Sequence, residues 1–206
     1  FHRQRTELTA RVQALQARIR PHFLFNSMNI IASLIMVDPE KAEHVVEDLS
    51  ALFRASLKAE GEVALSDEIS LCNSYLNIEK LRLGKRLDFE WRFDNLRSDL
   101  RIPALTLQPL LENAIYHGVE LSDEGGKVTI LLSWTGQELN IIITNPFHEH
   151  KKSHHKGNNM AVDNIRERLQ AHYGEKAKLK TQAAGQLFTT HISYPLAYGE
   201  EYIHLS

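Results

Sequence analysis

Three stretches of the 206-residue sequence carry polar and ionisable side chains at spacings that could do chemistry. In Arg20-Pro21-His22-Phe23-Leu24-Phe25-Asn26-Ser27-Met28-Asn29 and the residues that follow, the apolar positions Leu24, Met28, Ile31 and Ile35 recur at helical spacing. They predict a buried face, and His22, Asn26, Asn29 and Ser33 then share one polar stripe. An imidazole is thereby presented to solvent beside two amides. Its neutral form keeps a free lone pair near pH 7 and can attack an electrophilic phosphorus. Asn26, one turn on, can orient the ring by hydrogen bonding but cannot take its proton. A solvated surface histidine beside a proline kink is the plain alternative.

The second stretch is Leu107-Gln108-Pro109-Leu110-Leu111-Glu112-Asn113-Ala114-Ile115-Tyr116-His117-Gly118. Glu112, Asn113, Tyr116 and His117 interrupt an apolar helix where burial would be cheaper without them. An amide oxygen here could hold a hydrated Mg²⁺ on a nucleotide. Equally, Asn113 and His117 could serve nearby backbone groups. The third stretch runs from Ile143-Thr144-Asn145-Pro146 to Gly157-Asn158-Asn159 and on through Asn164-Ile165-Arg166-Glu167-Arg168-Leu169. A glycine and two asparagines before a helix offer backbone N–H groups at a dipole that favours phosphate, and Arg166 and Arg168 add cationic reach. The intervening His148–Lys156 predicts an exposed loop. Its histidines fit no zinc spacing, and the lysines among them would repel a cation.

These residues need elements to hold them. Leu8, Val12, Leu15 and Ile19 form a helical seam, which shifts at Pro21. Asp38-Pro39 reads as an N-cap with proline at the first helical position, opening a helix with Ala42, Val45, Val46, Leu49, Leu52 and Phe53 on its apolar side. Ser66, Asp67 and Glu68 open another, with Ile69, Cys72, Leu76 and Leu83 buried, so the first ~85 residues read as all-helical. From Leu87 the period becomes two, with Leu87, Phe89, Trp91 and Phe93 on one side. A helix near 106–118, strands near 127–134 and 138–145, a helix near 160–173 and strands near 177–182 and 187–194 complete an α+β domain with its helices on one face. The predicted domains are 1–85 and 86–206.

Composition narrows the function classes. Lys+Arg number 24 against 26 Asp+Glu, so no overall basic field would hold a nucleic acid. One cysteine, Cys72, cannot form an internal disulfide or a cysteine zinc site, which suits a reducing compartment. No apolar run approaches the roughly 20 residues that span a bilayer. The chain opens at Phe1 in charged helical sequence, which suggests the cytoplasmic part of a longer protein.

The three stretches, in this order, resemble the sensor histidine kinases of the LytS/AlgZ type. The residues that carry the likeness are Pro21-His22-Phe23-Leu24-Phe25-Asn26 with Asn29, Leu111-Glu112-Asn113-Ala114, and Asn164 to Leu169. The resemblance implies a helical-hairpin dimerisation domain, a four-helix bundle in the homodimer, followed by a GHKL (gyrase/Hsp90-like) α/β sandwich that binds ATP. It implies that His22 accepts the γ-phosphoryl group, that Asn113 holds Mg²⁺, and that Gly185 lies in the last glycine turn. His117, Asn145, Gly157, Asn159, Asn164, Arg166 and Arg168 would line the nucleotide site. The partner implied is a response regulator, DNA-binding and of the LytTR type, and the location is the cytoplasmic portion of an inner-membrane sensor.

The sequence also departs from the pattern. Phe23 stands where better-known histidine kinases carry an acidic base after the histidine. Asn145 replaces the usual adenine-binding Asp, and Asn159 and Ala161 replace two glycines. Tyr116 replaces a lysine. These departures keep open a second reading, a dimeric scaffold that binds its regulator without ATP turnover. A gyrase-like ATPase would need a glutamate one turn before Asn113, where Pro109 stands.

Overall fold

The computed structural model describes residues 21–57, 61–148 and 155–196. The seam expected at Leu8 to Ile19 lies outside them. The chain divides into two compact units, Phe1–Gly61 with Ile69–Gly84, and Glu62–Glu68 with Lys85–Ser206.

The first unit is helical: α1 (Pro21–Leu34), α2 (Pro39–Leu57), and the greater part of α3 (Leu65–Leu83). The reversal between α1 and α2 is built as the Asp38-Pro39 pair predicts. Asp38 N–H donates to Leu34 O at 2.8 Å, and the Asp38 carboxylate accepts from Lys41 N–H at 3.1 Å, while Pro39 occupies the position that needs no donor. Asp38→Ala should cost about 1 kcal/mol, read as a lower urea midpoint with unchanged slope. Ala42, Val45, Leu49 and Leu52 of α2 are buried, as are Cys72, Leu76 and Ile78 of α3.

The expected buried face of α1 is covered only in part, with Leu24 and Ile31 half-buried. Met28 is 55% and Ile35 53% exposed, whereas Ser27 is fully buried. The side packed within the unit runs through Phe23, Ser27, Ile30 and Leu34, one residue earlier along the helix. Phe23 meets the Tyr75 ring at a centroid distance of 5.2 Å, and Ser27 hides its hydroxyl by donating to Phe23 O at 2.8 Å. A small self-satisfied serine lets helices approach closely, so the α1 seam is set by side-chain size as well as by apolarity.

The second unit contains a mixed five-stranded sheet. Its strands are β2 (Leu87–Asp94), β4 (Gly126–Trp134), β5 (Glu138–Pro146), β6 (Lys178–Ala184) and β7 (Leu187–Pro195), in the order β2-β4-β5-β7-β6. Only β2 and β4 run parallel among the pairs. Register places Ile130, Ile143 and Thr190 in one row and Leu132, Ile141 and Ile192 in the next, all buried on one face. Helices α4 (Leu107–Ala114) and α5 (His155–Tyr173) belong to this unit. At the β2 edge, Glu90 pairs with Arg92 and with Lys127 of β4 at 2.7 Å, which lowers its pKa to about 2, Arg92 first and Lys127 second. This exposed contribution is present above pH 4.5 and fades as pH falls towards 2.

The first 85 residues are not all-helical. Glu62–Ala64 forms a short strand, β1, antiparallel to β3 (Arg101–Pro103), with Val63 opposite Ile102. Three residues are too few to show a strand period, and the partner lies far along the chain. This ribbon brings Glu62–Glu68 into the second unit, ahead of the expected boundary at 85. The Tyr173 hydroxyl donates to Glu62, and its ring stacks on Tyr194 of β7 at 4.4 Å. Burial, followed by the Glu62 carboxylate, pushes the Tyr173 pKa far up, so this phenol remains a donor.

Candidate functional site

His22 stands in the first turn of α1, exposed, with Asn26 one turn on. The Asn26 Nδ2 lies 3.1 Å from His22 Nδ1. Asn29 and Ser33 continue the exposed stripe, Ser33 turning its hydroxyl to Ile30 O at 2.7 Å. The imidazole is thus presented to solvent as the helical spacing predicted.

In the second unit, α4 has no cap of its own. Thr106 precedes it, and the Thr106 hydroxyl is turned to Pro103 O at 2.6 Å. A residue from α3's first turn supplies the missing acceptor: Glu68 Oε1 takes Leu107 N–H at 2.9 Å and Oε2 takes Leu105 N–H at 3.0 Å. Glu68 is buried, and desolvation raises its pKa above the ordinary 4.5 against the pull of the backbone N–H groups. Arg168 of α5 donates to Leu105 O. Between these two contacts Leu105 is held at φ +56°, a left-handed geometry costly for a branched residue.

The helix begun there carries Gln108, Glu112 and Asn113. Gln108 Nε2 donates to Glu112 at 3.1 Å, and Asn113 is buried to 6% exposure. Beyond Ala114 the backbone widens into a π-helical turn, Ile115–Val119, of the kind often found at functional sites. Its Tyr116 and His117 rings meet edge to face at 4.9 Å. Its Gly118 is a close approach: a Cβ there would sit 2.5 Å from Asn145 Nδ2 and 2.8 Å from Pro146 O. The helix of Asn113 and the strand end of Asn145 therefore meet through a missing side chain.

Asn145 is buried at the end of β5 and donates its Nδ2 to Pro146 O at 2.8 Å. The amide nitrogen being engaged, the oxygen is what Asn145 can offer a donor. Next to it, Phe147 N–H donates to Gln186 O at 2.7 Å, so the Gly185-Gln186 turn joining β6 and β7 closes on the same strand end. Gly185 takes φ +60°, which favours glycine. On the other side Gly126 lies against Pro146, whose Cγ would be 2.2 Å from a Cβ.

The structure thus brings Asn113, His117, Asn145 and Gly185 into one unit around the α4–β5 junction. It treats the remaining candidates differently. Helix α5 begins at His155 instead of near 160, so Gly157 and Asn159 fall inside it, and the exposed loop expected at His148–Lys156 is shorter. Glycine and asparagine are poor helix formers but do not forbid a helix, and no proline intervenes after Pro146. Residues 149–154 of that loop lie outside the described residues. Asn164 is exposed, Arg166 is paired with Asp163 one turn back, and Arg168 serves the start of α4. Sequence reading passed over Glu68, Gly118 and Gly126. The pair Gly125-Gly126 before a strand and the glycine directly after His117 were the available signals.

Among the described residues no helix is long and apolar enough to cross a membrane. Residues 10–87 match the histidine kinase family. The sensor protein LytS of Oceanobacillus iheyensis is 36% identical, over 84% of this chain and 32% of that protein. The sensor histidine kinase BtsS of Escherichia coli is 37% identical over the same shares, 84% and 32%. Among solved structures, the histidine kinase AdeS of Acinetobacter baumannii overlaps 93% of this chain and 98% of its own at 17% identity, with a TM-score of 0.48. The chain belongs to the histidine kinases. Its relatives include a LytS sensor protein, and it spans 32% of the length of the two named here.

Proposed function

We propose that this chain is the phosphoacceptor and ATP-binding part of a sensor kinase, which transfers the γ-phosphoryl group of ATP to His22 and passes it to an aspartate of a response regulator. The observation that carries this is the presence of an exposed imidazole, backed by Asn26, on one unit and, on the other, of a helical segment bearing Asn113 whose end at Gly118 meets the strand end of Asn145. Phosphoryl transfer asks a protein chiefly for positioning and charge neutralisation.

Asn145, its nitrogen engaged by Pro146 O, offers an amide oxygen suited to an exocyclic amine such as that of adenine. Asn113 offers the neutral oxygen that Mg²⁺ accepts alongside phosphate oxygens and water, so the residues present fit that ion. Mg²⁺ would neutralise charge on the phosphates when bound. Arg166 and the backbone at the start of α5, including Gly157 and Asn159, would favour the same anion. The row Phe25, Met28, Ile35 and Met36, left exposed on α1 and its end, is what a second copy would cover in a four-helix bundle. A location on the cytoplasmic side of a membrane-held sensor belongs to the same proposal. The regulator would be of the LytTR, DNA-binding type.

The test is incubation with γ-labelled ATP and Mg²⁺ beside His22→Gln. Label on the native chain alone, lost in acid and stable in alkali, is the expected result. Nucleotide binding without label on either chain would count against His22 as acceptor, and absence of binding would favour the scaffold reading.

A further inference from the structure

Cover on the buried side of the sheet thins at the end of β7 that lies beside Asn145. Along β7, Tyr194, Ile192 and Thr190 are buried on that side, and the next residue in the same alternation, Phe188, is only half-buried. Register sets Phe188 directly opposite Asn145 of β5, so the two side chains rise from the same face. On its other flank Phe188 faces Ala183 of β6, which is exposed and too small to cover a ring. One residue beyond β5, Phe147 N–H extends the pairing to Gln186 O, and the half-buried Phe147 ring lies 6.1 Å from that of Phe188 at an angle of 30°. A third ring between them would need roughly 7 Å, twice the carbon contact distance, so the pair is closed and a ligand meets only its outer side.

An amide oxygen that accepts from an exocyclic amine also fixes where the rest of the base can go. Cβ atoms of directly paired residues stand about 4.5–5.5 Å apart, so a planar base bonded at Asn145 Oδ1 extends over the neighbouring side chain. Here that side chain is an aromatic ring. We propose that Phe188, braced by Phe147, is a stacking platform for the purine of the bound nucleotide, so that the site selects its base by ring contact as well as by the hydrogen bond at Asn145. This deepens the nucleotide reading of the site and rests on it. A platform adds what the amide lacks. Adenine and cytosine both carry an exocyclic amine, and a lone acceptor does not tell them apart, whereas the purine has the larger face to stack.

The test is titration of the full chain with ATP and with CTP in the presence of Mg²⁺, read by calorimetry and by the absorbance of the base. On binding to the native chain the adenine absorbance should fall, the hypochromism of stacked rings, and ATP should bind more tightly than CTP. Phe188→Leu keeps the apolar bulk without a ring face, and it should bind ATP about fivefold more weakly, the factor that ~1 kcal/mol of stacking sustains. Phe188→Tyr keeps the ring and should keep the native affinity. ATP bound by the native chain without the absorbance change, or no more tightly than CTP, overturns the platform and leaves the kinase reading standing. Native affinity in Phe188→Leu does the same. Equal weakening in the Leu and Tyr variants also overturns it, the ring then serving only to close the strand ends. Should Phe188→Leu not fold, the absorbance change and the ATP preference of the native chain still decide. If the native chain binds neither nucleotide, the nucleotide reading fails and the platform falls with it.

Discussion

A Gly118→Ala chain should bind a fluorescent ATP analogue at least about tenfold more weakly than the native chain, with its helical signal intact. The expectation follows from two contacts of unequal softness. The new methyl would meet Asn145 Nδ2 at 2.5 Å and Pro146 O at 2.8 Å. The amide is the tip of a side chain and can swing away, but doing so breaks its bond to Pro146 O and moves the oxygen that the proposed function gives to adenine. Pro146 O belongs to β5, fixed by pairing of Pro146 with Leu187, and cannot follow. Overpacking of this kind costs about 1–3 kcal/mol, and ~1.4 kcal/mol lost from binding is a factor of ten. Gly136→Ala is the control: its φ of +91° makes any side chain strained, yet nothing lies within 4 Å of the added carbon. That variant should lose roughly 1 kcal/mol of stability through its backbone and no affinity. Equal affinities for the native and Gly118→Ala chains would refute the junction as part of the nucleotide site.

Much of this arrangement is local and could be read from the sequence. The predicted strands end within two residues of β4, β5, β6 and β7 as found, and on β4, β5 and β7 buried positions alternate along the strand, as a half-buried sheet imposes. Asp38-Pro39 and the His22 stripe are likewise local, set by capping and helical spacing. What escaped depends on distant partners. The β1–β3 ribbon pairs Val63 with Ile102, and neither strand is long enough to announce itself. The covered side of α1 is centred on Ser27, which, polar in sequence, hides its hydroxyl on Phe23 O and becomes a packing residue. Gly118 closes the predicted helix near 106–118, and the reason for a glycine there lies across the fold at Asn145.

Glu68 is the second residue whose role no local pattern could reveal, and its replacement should have a large effect on the stability of the sheet-containing unit. Glu68→Ala leaves two backbone N–H groups at the start of α4 without their acceptor, at a cost of about 2–5 kcal/mol. Glu68→Gln keeps one acceptor oxygen but sets an NH₂ against the other N–H, costing roughly 1–3 kcal/mol. Both Trp91 and Trp134 lie in the sheet, so tryptophan fluorescence during urea unfolding reports on this unit. The gap between native and Gln chains should also depend on pH. Desolvation raises the folded pKa of Glu68 above 4.5, so in the window between those values the native state binds more protons than the unfolded one. Native stability relative to Glu68→Gln therefore falls as pH rises from 4.5 and levels off once the folded carboxyl has ionised. A gap that stays constant across that window would show that burial does not shift this carboxyl. The same contacts hold Leu105 at φ +56° immediately before the helix that bears Asn113, so relaxation of that turn should carry over to the site. Under the proposed function Glu68→Ala therefore weakens Mg²⁺-dependent nucleotide binding even in urea-free buffer, where the unit is still folded. Glu68 thus links the start of α3 to the proposed nucleotide site without touching it.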